Sequence, residues 1–357
     1  MCLGESLPLK VWTPLLSTGE RNFPQKEKEN QLLKERREGQ RSLRKVPEKG
    51  SGTTGLTGMY SSPMSQKPLR RVVVTGGTHG NEMSGVYLVQ HWLQDPRELQ
   101  RPSFSAMPVL ANPEAVATCC RYIDYDLNRA FTSTILNSKA TPDDPYEVRR
   151  ARELNQLVGP KSSDQAFDFL LDLHNTTANM GACLILESSY SIFTLHLCHY
   201  LKLQNPDLSC CVFQYLFSRK ESLGLDSVAK NGLTLELGPQ PQGVLRADIY
   251  SQMRALVISA MDFIELFNQG TAFPAFDMEI YKTLDRDQDL EPLKPGAPIF
   301  KLFNGEDVLY EGDSTVFPLF INEAAYYEKH LAFMKSEKIT ISVPALSALT
   351  SASTLAL

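Results

Sequence analysis

Between Met64 and Gly270 the chain alternates short apolar runs with stretches of helical period, and no other feature restricts the fold as much. RRVVVTGG, AMPVLAN, FDFLLDLHN, ACLILES, CCVFQY and LTLELGP read as buried strands. SGVYLVQHWLQD, PYEVRRARELNQLVG, YSIFTLHLCHYLKL and VLRADIYSQMRALVISAMDFIELFN read as helices. Strand and helix in turn, without an internal repeat, specify an α/β domain over 64–270: a mostly parallel mixed sheet flanked by helices.

The texture differs on either side of this block. After Gly270, FPAF, PLKPGAPIFKLFNG, VLYEGDSTVFPLFIN and KITISV are short alternating segments between prolines and glycines. They predict a small β-rich C-terminal domain over 271–345 and a flexible tail over 346–357. Residues 1–63 join the charged stretch KEKENQLLKERREGQRSLRK to a Gly/Ser/Thr-rich linker, too poor in apolar side chains to offset the entropy of ordering. They are expected to form a disordered basic extension.

Charge and cysteine usage bound the partners and the compartment. Residues 21–50 carry ten Lys or Arg against five Asp or Glu in a chain of net charge −5, so a basic arm precedes an acidic body. An acidic body, with an arm lacking aromatic residues for base stacking, argues against nucleic acid as the partner. No run of 18 apolar residues is present to span a bilayer. Prolines and Lys10 break the apolar pieces near the N-terminus, which does not read as a signal peptide. A peripheral contact of the basic arm with a membrane stays open. Seven scattered cysteines without a CxxC pair read as reduced cytosolic thiols that pack as small apolar groups.

The chemistry begins in VVVTGGTHGNEMSGVYLV, a strand, a glycine turn and a helix start. Such a turn could cradle phosphate, but neither GxGxxG nor GKS/GKT is present. Instead His79 and Glu82 stand three residues apart, a His and a carboxylate of the kind that open catalytic zinc sites use. A third donor is His174, at the end of the strand FDFLLDLHN, because sites of open α/β sheets lie at the carboxyl ends of strands. Asp172, two residues earlier on the same strand face, suits the role of an acceptor that orients an imidazole. Glu236, near the end of NGLTLELGPQ, is an acid that is expensive to bury and is therefore the candidate general base. Arg121, Asn128 and Arg129 in CCRYIDYDLNRAF supply donors for a developing oxyanion and for a substrate carboxylate.

These stretches, with DDPYEVRRARELNQL, DLHNTTANMG, LELGPQPQGVLRADI and INEAAYYEK, resemble the aspartoacylase family of the zinc carboxypeptidase-like fold, in family order from about Met64 onward. The resemblance implies one Zn2+ per chain held by His79, Glu82 and His174, with Glu236 as general base and later proton donor. It implies that Arg121 polarises the scissile carbonyl, that Asn128 and Arg129 grip the α-carboxylate, and that Tyr326 reaches the substrate from the second domain. Asp226 stands where aspartoacylase has an arginine for the side-chain carboxylate of its substrate. That favours the branch of the family that deacetylates N-acetyl aromatic amino acids and acetylated cysteine S-conjugates, the mercapturic acids.

There are two further departures, one just before Asp226 and one in the C-terminal region. Ser222-Leu223-Gly224 replaces a tyrosine of the family, and the stretch after Tyr281 is about twenty residues shorter than in the family, roughly a hairpin's worth of chain. The sequence leaves three alternatives standing: hydrolysis of N-acetylaspartate, a peptide-cleaving metallocarboxypeptidase, and an inactive zinc-binding form. A cytoplasmic homo-oligomer is expected, with contact at the apical plasma membrane left open.

Overall fold

The computed structural model describes residues 67–186, 191–215, 222–284 and 292–349. The basic extension expected over 1–63 lies outside them, as do residues 350–357 of the expected tail.

Six strands come from the alternating block: β1 (Arg71–Gly76), β2 (Ser105–Leu110), β3 (Phe169–Asn175), β4 (Gly181–Leu186), β5 (Cys210–Gln214) and β6 (Asn231–Gly238). Its long helices are α1 (Met83–Gln94), α2 (Tyr146–Val158), α3 (Ile192–Gln204) and α4 (Ala247–Asn268). β2, β1, β3 and β6 run parallel as neighbours, β4 is antiparallel to β6, and β5 is parallel to β4. β3 is buried along its whole length, which is why FLLDLHN reads as continuous rather than alternating.

The pleat sorts these residues. Phe169, Leu171 and Leu173 of β3 join Val72, Val74, Leu233 and Leu235 in the larger core. Trp92 of α1, Leu197 of α3 and Phe263 of α4 belong to the same core. Leu170 lies in the second core with Val73, Leu154 and Val158 of α2, and Leu127. Asp172 and His174 continue Leu170's face of the strand, so the side facing α2 changes from apolar to polar as β3 runs out of the core. On β6, Glu236 pairs in register with His174 and Thr234 with Asp172, so those two side chains share that face.

The region after Gly270 contributes β7 (Phe276–Leu284), β8 (Pro298–Lys301), β9 (Asp307–Leu309), β10 (Phe317–Leu319) and β11 (Met334–Val343). It is β-rich as expected, but three of its strands continue the central sheet. β7 pairs with β5 through Phe213–Tyr281 and Gln214–Lys282, then β11 and β10 follow, giving the order β10-β11-β7-β5-β4-β6-β3-β1-β2. β8 and β9 form a separate two-stranded ribbon. Leu346, inside the segment expected as a tail, is 1% exposed and bridges Phe273. The shortened stretch after Tyr281 falls largely at residues 285–291, outside the described residues.

Candidate active site

β1 ends at a tight loop carrying His79. The amide of Glu82 donates to the carbonyl of His79 at 3.2 Å, so a single turn brings the two side chains to the same side. The loop is pressed against the short helix Pro113–Ala117, where a Cβ on Gly80 would lie 2.2 Å from the carbonyl oxygen of Ala115. Only glycine fits there.

Glu82 is the N-cap residue of α1, yet its side chain does not cap the helix. The amide of Ser84, in the first turn, is satisfied instead by Asn175 Oδ1 at 3.0 Å. The Glu82 carboxylate is thereby released for the cleft. Its Oε1 lies 2.7 Å from His79 Nδ1, and its Oε2 lies 2.9 Å from His174 Nδ1 and accepts from the Asn175 amide at 3.0 Å. The two Nδ1 atoms are 3.1 Å apart. One donor atom from each of His79, Glu82 and His174 lies within 4.8 Å of the others, and all three residues are buried.

The outer nitrogens are held as well. His174 Nε2 meets Asp172 Oδ2 at 2.8 Å, and Asp172 Oδ1 accepts from the hydroxyls of Thr75 and Thr78 at 2.6 and 2.8 Å. His79 Nε2 meets Asp126 Oδ1 at 3.1 Å. Both imidazoles are thus turned so that Nδ1 faces the third donor, with a carboxylate behind each ring. The group suits a divalent cation: borderline-soft nitrogen donors, one carboxylate, and rings fixed from the far side.

Charge reflects this crowding. Burial acts against ionisation of Glu82, but His79 and His174 hold its carboxyl well below the usual range. Burial also opposes the charged form of His174, and Asp172 with Glu82 outweighs it, holding the imidazolium well above its usual range. Glu236 behaves in the opposite way. Burial pushes its carboxyl up to about 8 against the pull of His174, with Glu82 and Glu323 adding to the rise. Its Oε2 is buried and has no hydrogen-bond partner among the described residues. A carboxyl so placed is suited to exchange protons near neutral pH.

A cavity of about 310 Å³ opens in front of these groups. His79, Glu82, Arg121, Asn128, Arg129, Asp226, Glu236 and Tyr326 all line it, while His174 lies behind with no exposed surface. The structure therefore brings every candidate residue of the sequence reading to one place. Arg121 reaches Glu82 Oε1 at 3.3 Å and Asp126 Oδ2 at 3.5 Å. Asn128 Oδ1 accepts the amide of Leu225 at 3.3 Å, joining its loop to the turn that carries Asp226. The same cavity is also lined by apolar and aromatic side chains: Ile185, Leu186, Tyr215, Leu223, Phe320 and Tyr326.

Glu323 explains how Tyr326 arrives there. Its Oε2 accepts from Thr176 Oγ1 at 2.5 Å and from the Thr177 amide at 3.0 Å, just beyond β3. Thr177 Oγ1 donates to the carbonyl of Asn322 at 2.7 Å. These bonds fasten the short helix Ala324–Tyr327 over the cavity. Sequence reasoning passed over Glu323, Asp126, Tyr215, Phe320 and Lys329. The first two carry a local signal that conceals their role, since Asp126 caps Asn128 and Glu323 caps Ala325 in their own turns.

A buried His-Glu-His donor set at the carboxyl ends of a mostly parallel sheet, with an acid nearby and arginines around it, is the arrangement of an α/β hydrolytic site that could hold a metal ion. Two family models match the chain: the succinylglutamate desuccinylase/aspartoacylase catalytic domain over residues 68–264, and the barrel-sandwich hybrid domain of the same family over 276–338. N-acyl-aromatic-L-amino acid amidohydrolase (carboxylate-forming) of Rattus norvegicus is 67% identical over 83% of this chain and 99% of its own length. The Homo sapiens protein of that name is 65% identical over 82% of this chain and 98% of its own. The crystal structure of murine aminoacylase 3 superposes with a TM-score of 0.77 at 65% identity, covering 79% of this chain and all of that one. The chain belongs to the succinylglutamate desuccinylase/aspartoacylase family and is an enzyme of it.

Proposed function

We propose that this chain is a zinc-dependent amidohydrolase that removes the acyl group from N-acyl aromatic amino acids, with mercapturic acids as a second substrate group. The observation that carries the reading is the cavity itself, lined at once by arginines, by residues of a metal-type donor set and by aromatic side chains. The names of relatives at 65–67% identity support it.

His79, Glu82 and His174 would hold the ion. A bound zinc acidifies a water and polarises a carbonyl. Glu236 takes a proton from the water that adds to the acyl carbon. Arg121 faces the carbonyl oxygen as negative charge develops on it. As the C–N bond breaks, Glu236 delivers the proton to the leaving nitrogen, so the products are a carboxylate and a free amino acid. Asn128 and Arg129 grip the α-carboxylate, which fixes the amide relative to Glu236. The aromatic side chain lies against Tyr215, Phe320 and Tyr326, and Asp226 disfavours a second carboxylate at that end.

The test combines metal analysis with a hydrolysis panel of N-acetyl amino acids. About one zinc per chain and turnover of N-acetyl-L-tyrosine above N-acetyl-L-aspartate are expected. Metal without turnover of any member of the panel would overturn the enzymatic reading.

A further inference from the structure

The segment DDPYEVRRARELNQL contributes no side chain to the cavity lining, yet a buried acid of it holds the loop that supplies Arg121, Asn128 and Arg129 to the cavity. Glu147 lies in the first turn of α2 and has no exposed surface. Its Oε1 accepts from the Ile123 amide at 2.6 Å and from Asn112 Nδ2 at 3.2 Å. Its Oε2 accepts from the amides of Asp124 and Tyr125, both at 3.0 Å. Three consecutive backbone N–H groups of the loop thus converge on one carboxylate.

The contact is reciprocal. Asp124 Oδ2 accepts the Tyr146 amide at 2.8 Å, one of the amides that the start of α2 leaves open and that Pro145 does not cap with a side chain. A first-turn acid ordinarily complements the amides of its own helix. Here the acid is directed outward and the loop returns a carboxylate to the helix. Arg121 precedes the held amides by two residues, and Asp126, Asn128 and Arg129 follow within four.

We infer that Glu147, with Asp124 as its reciprocal partner, is a positioning residue that sets Arg121, Asn128 and Arg129 for the substrate. The inference rests on the α-carboxylate reading of Asn128 and Arg129 above. A buried carboxylate accepting three backbone amides fixes the loop's path, and a misplacement of about 1 Å at this distance is enough to lower turnover on the order of a hundredfold. In Glu147→Gln the amide NH2 takes the place of one oxygen, so at least one backbone N–H faces a donor.

The test is a double-mutant cycle on kcat/KM for N-acetyl-L-tyrosine, using Glu147→Gln, Arg129→Gln and the double variant, each checked for metal content. Glu147→Gln is expected to keep its metal and to lose about a hundredfold. Adding it to Arg129→Gln should then lower kcat/KM by clearly less than it does in the parent, because one of the groups it positions is already gone and only the share acting through Arg121 and Asn128 is left to lose. Asp124→Ala removes the exposed half of the contact, and paired with Arg129→Gln it gives the same cycle if Glu147→Gln does not fold. Losses that multiply would mean general destabilisation and overturn the positioning role. So would near-normal kcat/KM in both Glu147→Gln and Asp124→Ala. An Arg129→Gln enzyme as active as the parent would remove the α-carboxylate reading itself, and the positioning role with it.

Discussion

His174 and Glu236 are register partners on adjacent parallel strands, one inside the metal-type cluster and the other outside it with a buried oxygen that has no hydrogen-bond partner among the described residues. A single residue pair across β3 and β6 therefore sets the distance between the donor set and the proposed proton carrier. Neither strand can slip without moving both, since a one-residue shift turns every side chain to the other face.

The donor set predicts the outcome of removing it. His79→Ala, Glu82→Ala and His174→Ala should each lose bound zinc and activity, and chelation of the unmodified protein should do the same, reversed by adding zinc back. Metal analysis checks this. Full zinc retention in His174→Ala would reject the assignment.

Glu236→Gln should keep its zinc and lose turnover by at least about a hundredfold, as expected for a proton carrier that is not a ligand. Zinc content and kcat measured on one preparation decide it. Near-normal turnover would refute the role.

The same residue has a signature in the metal-free protein. Glu236 titrates near 8 in the folded chain against an ordinary 4.5, so the native state holds a proton that the unfolded chain has released. The stability this contributes is present below about 4.5 and is lost as pH rises through about 8. The Tm of the chelated wild type should therefore fall relative to that of chelated Glu236→Gln across that window. Parallel Tm curves for the two proteins would contradict the raised value.

Asp126 makes a separate prediction. It holds the outer nitrogen of His79 and approaches Arg121, so Asp126→Ala should weaken zinc binding by roughly 10–100-fold while the chain stays folded. Competition with a calibrated chelator measures the change. Unaltered affinity would confine Asp126 to capping its own turn.

Substrate choice turns on Asp226, which is 6% exposed and lines the cavity beside Asn128. A desolvated arginine–carboxylate pair contributes roughly 1.5–3 kcal/mol, and two facing carboxylates reverse the sign. The kcat/KM ratio of N-acetyl-L-tyrosine to N-acetyl-L-aspartate should favour tyrosine in the parent and fall by about tenfold or more in Asp226→Arg. Preference for the aspartate substrate in the parent would return the chain to the aspartoacylase reading. A ratio unmoved by the substitution would acquit Asp226.

The amino-acid sequence by itself determined the alternation of strands and helices, because periodicity and strand length are local properties that neighbouring residues enforce. It also exposed His79, His174 and Glu236, polar groups at or just past the ends of apolar strands, and Glu82 by its three-residue spacing from His79. Tertiary structure decided the rest. That β7, β11 and β10 extend the central sheet depends on the pairing of β7 with β5, a contact between segments some seventy residues apart that no local pattern encodes. Asp126 and Glu323 look like ordinary caps because each does cap its own turn. Their further contacts, to His79 and to Thr176, exist only once distant chain is folded against them. The aromatic part of the lining was equally hidden apart from Tyr326, which the family resemblance supplied: Tyr215 and Phe320 sit in apolar segments, and only the fold opens them to a cavity.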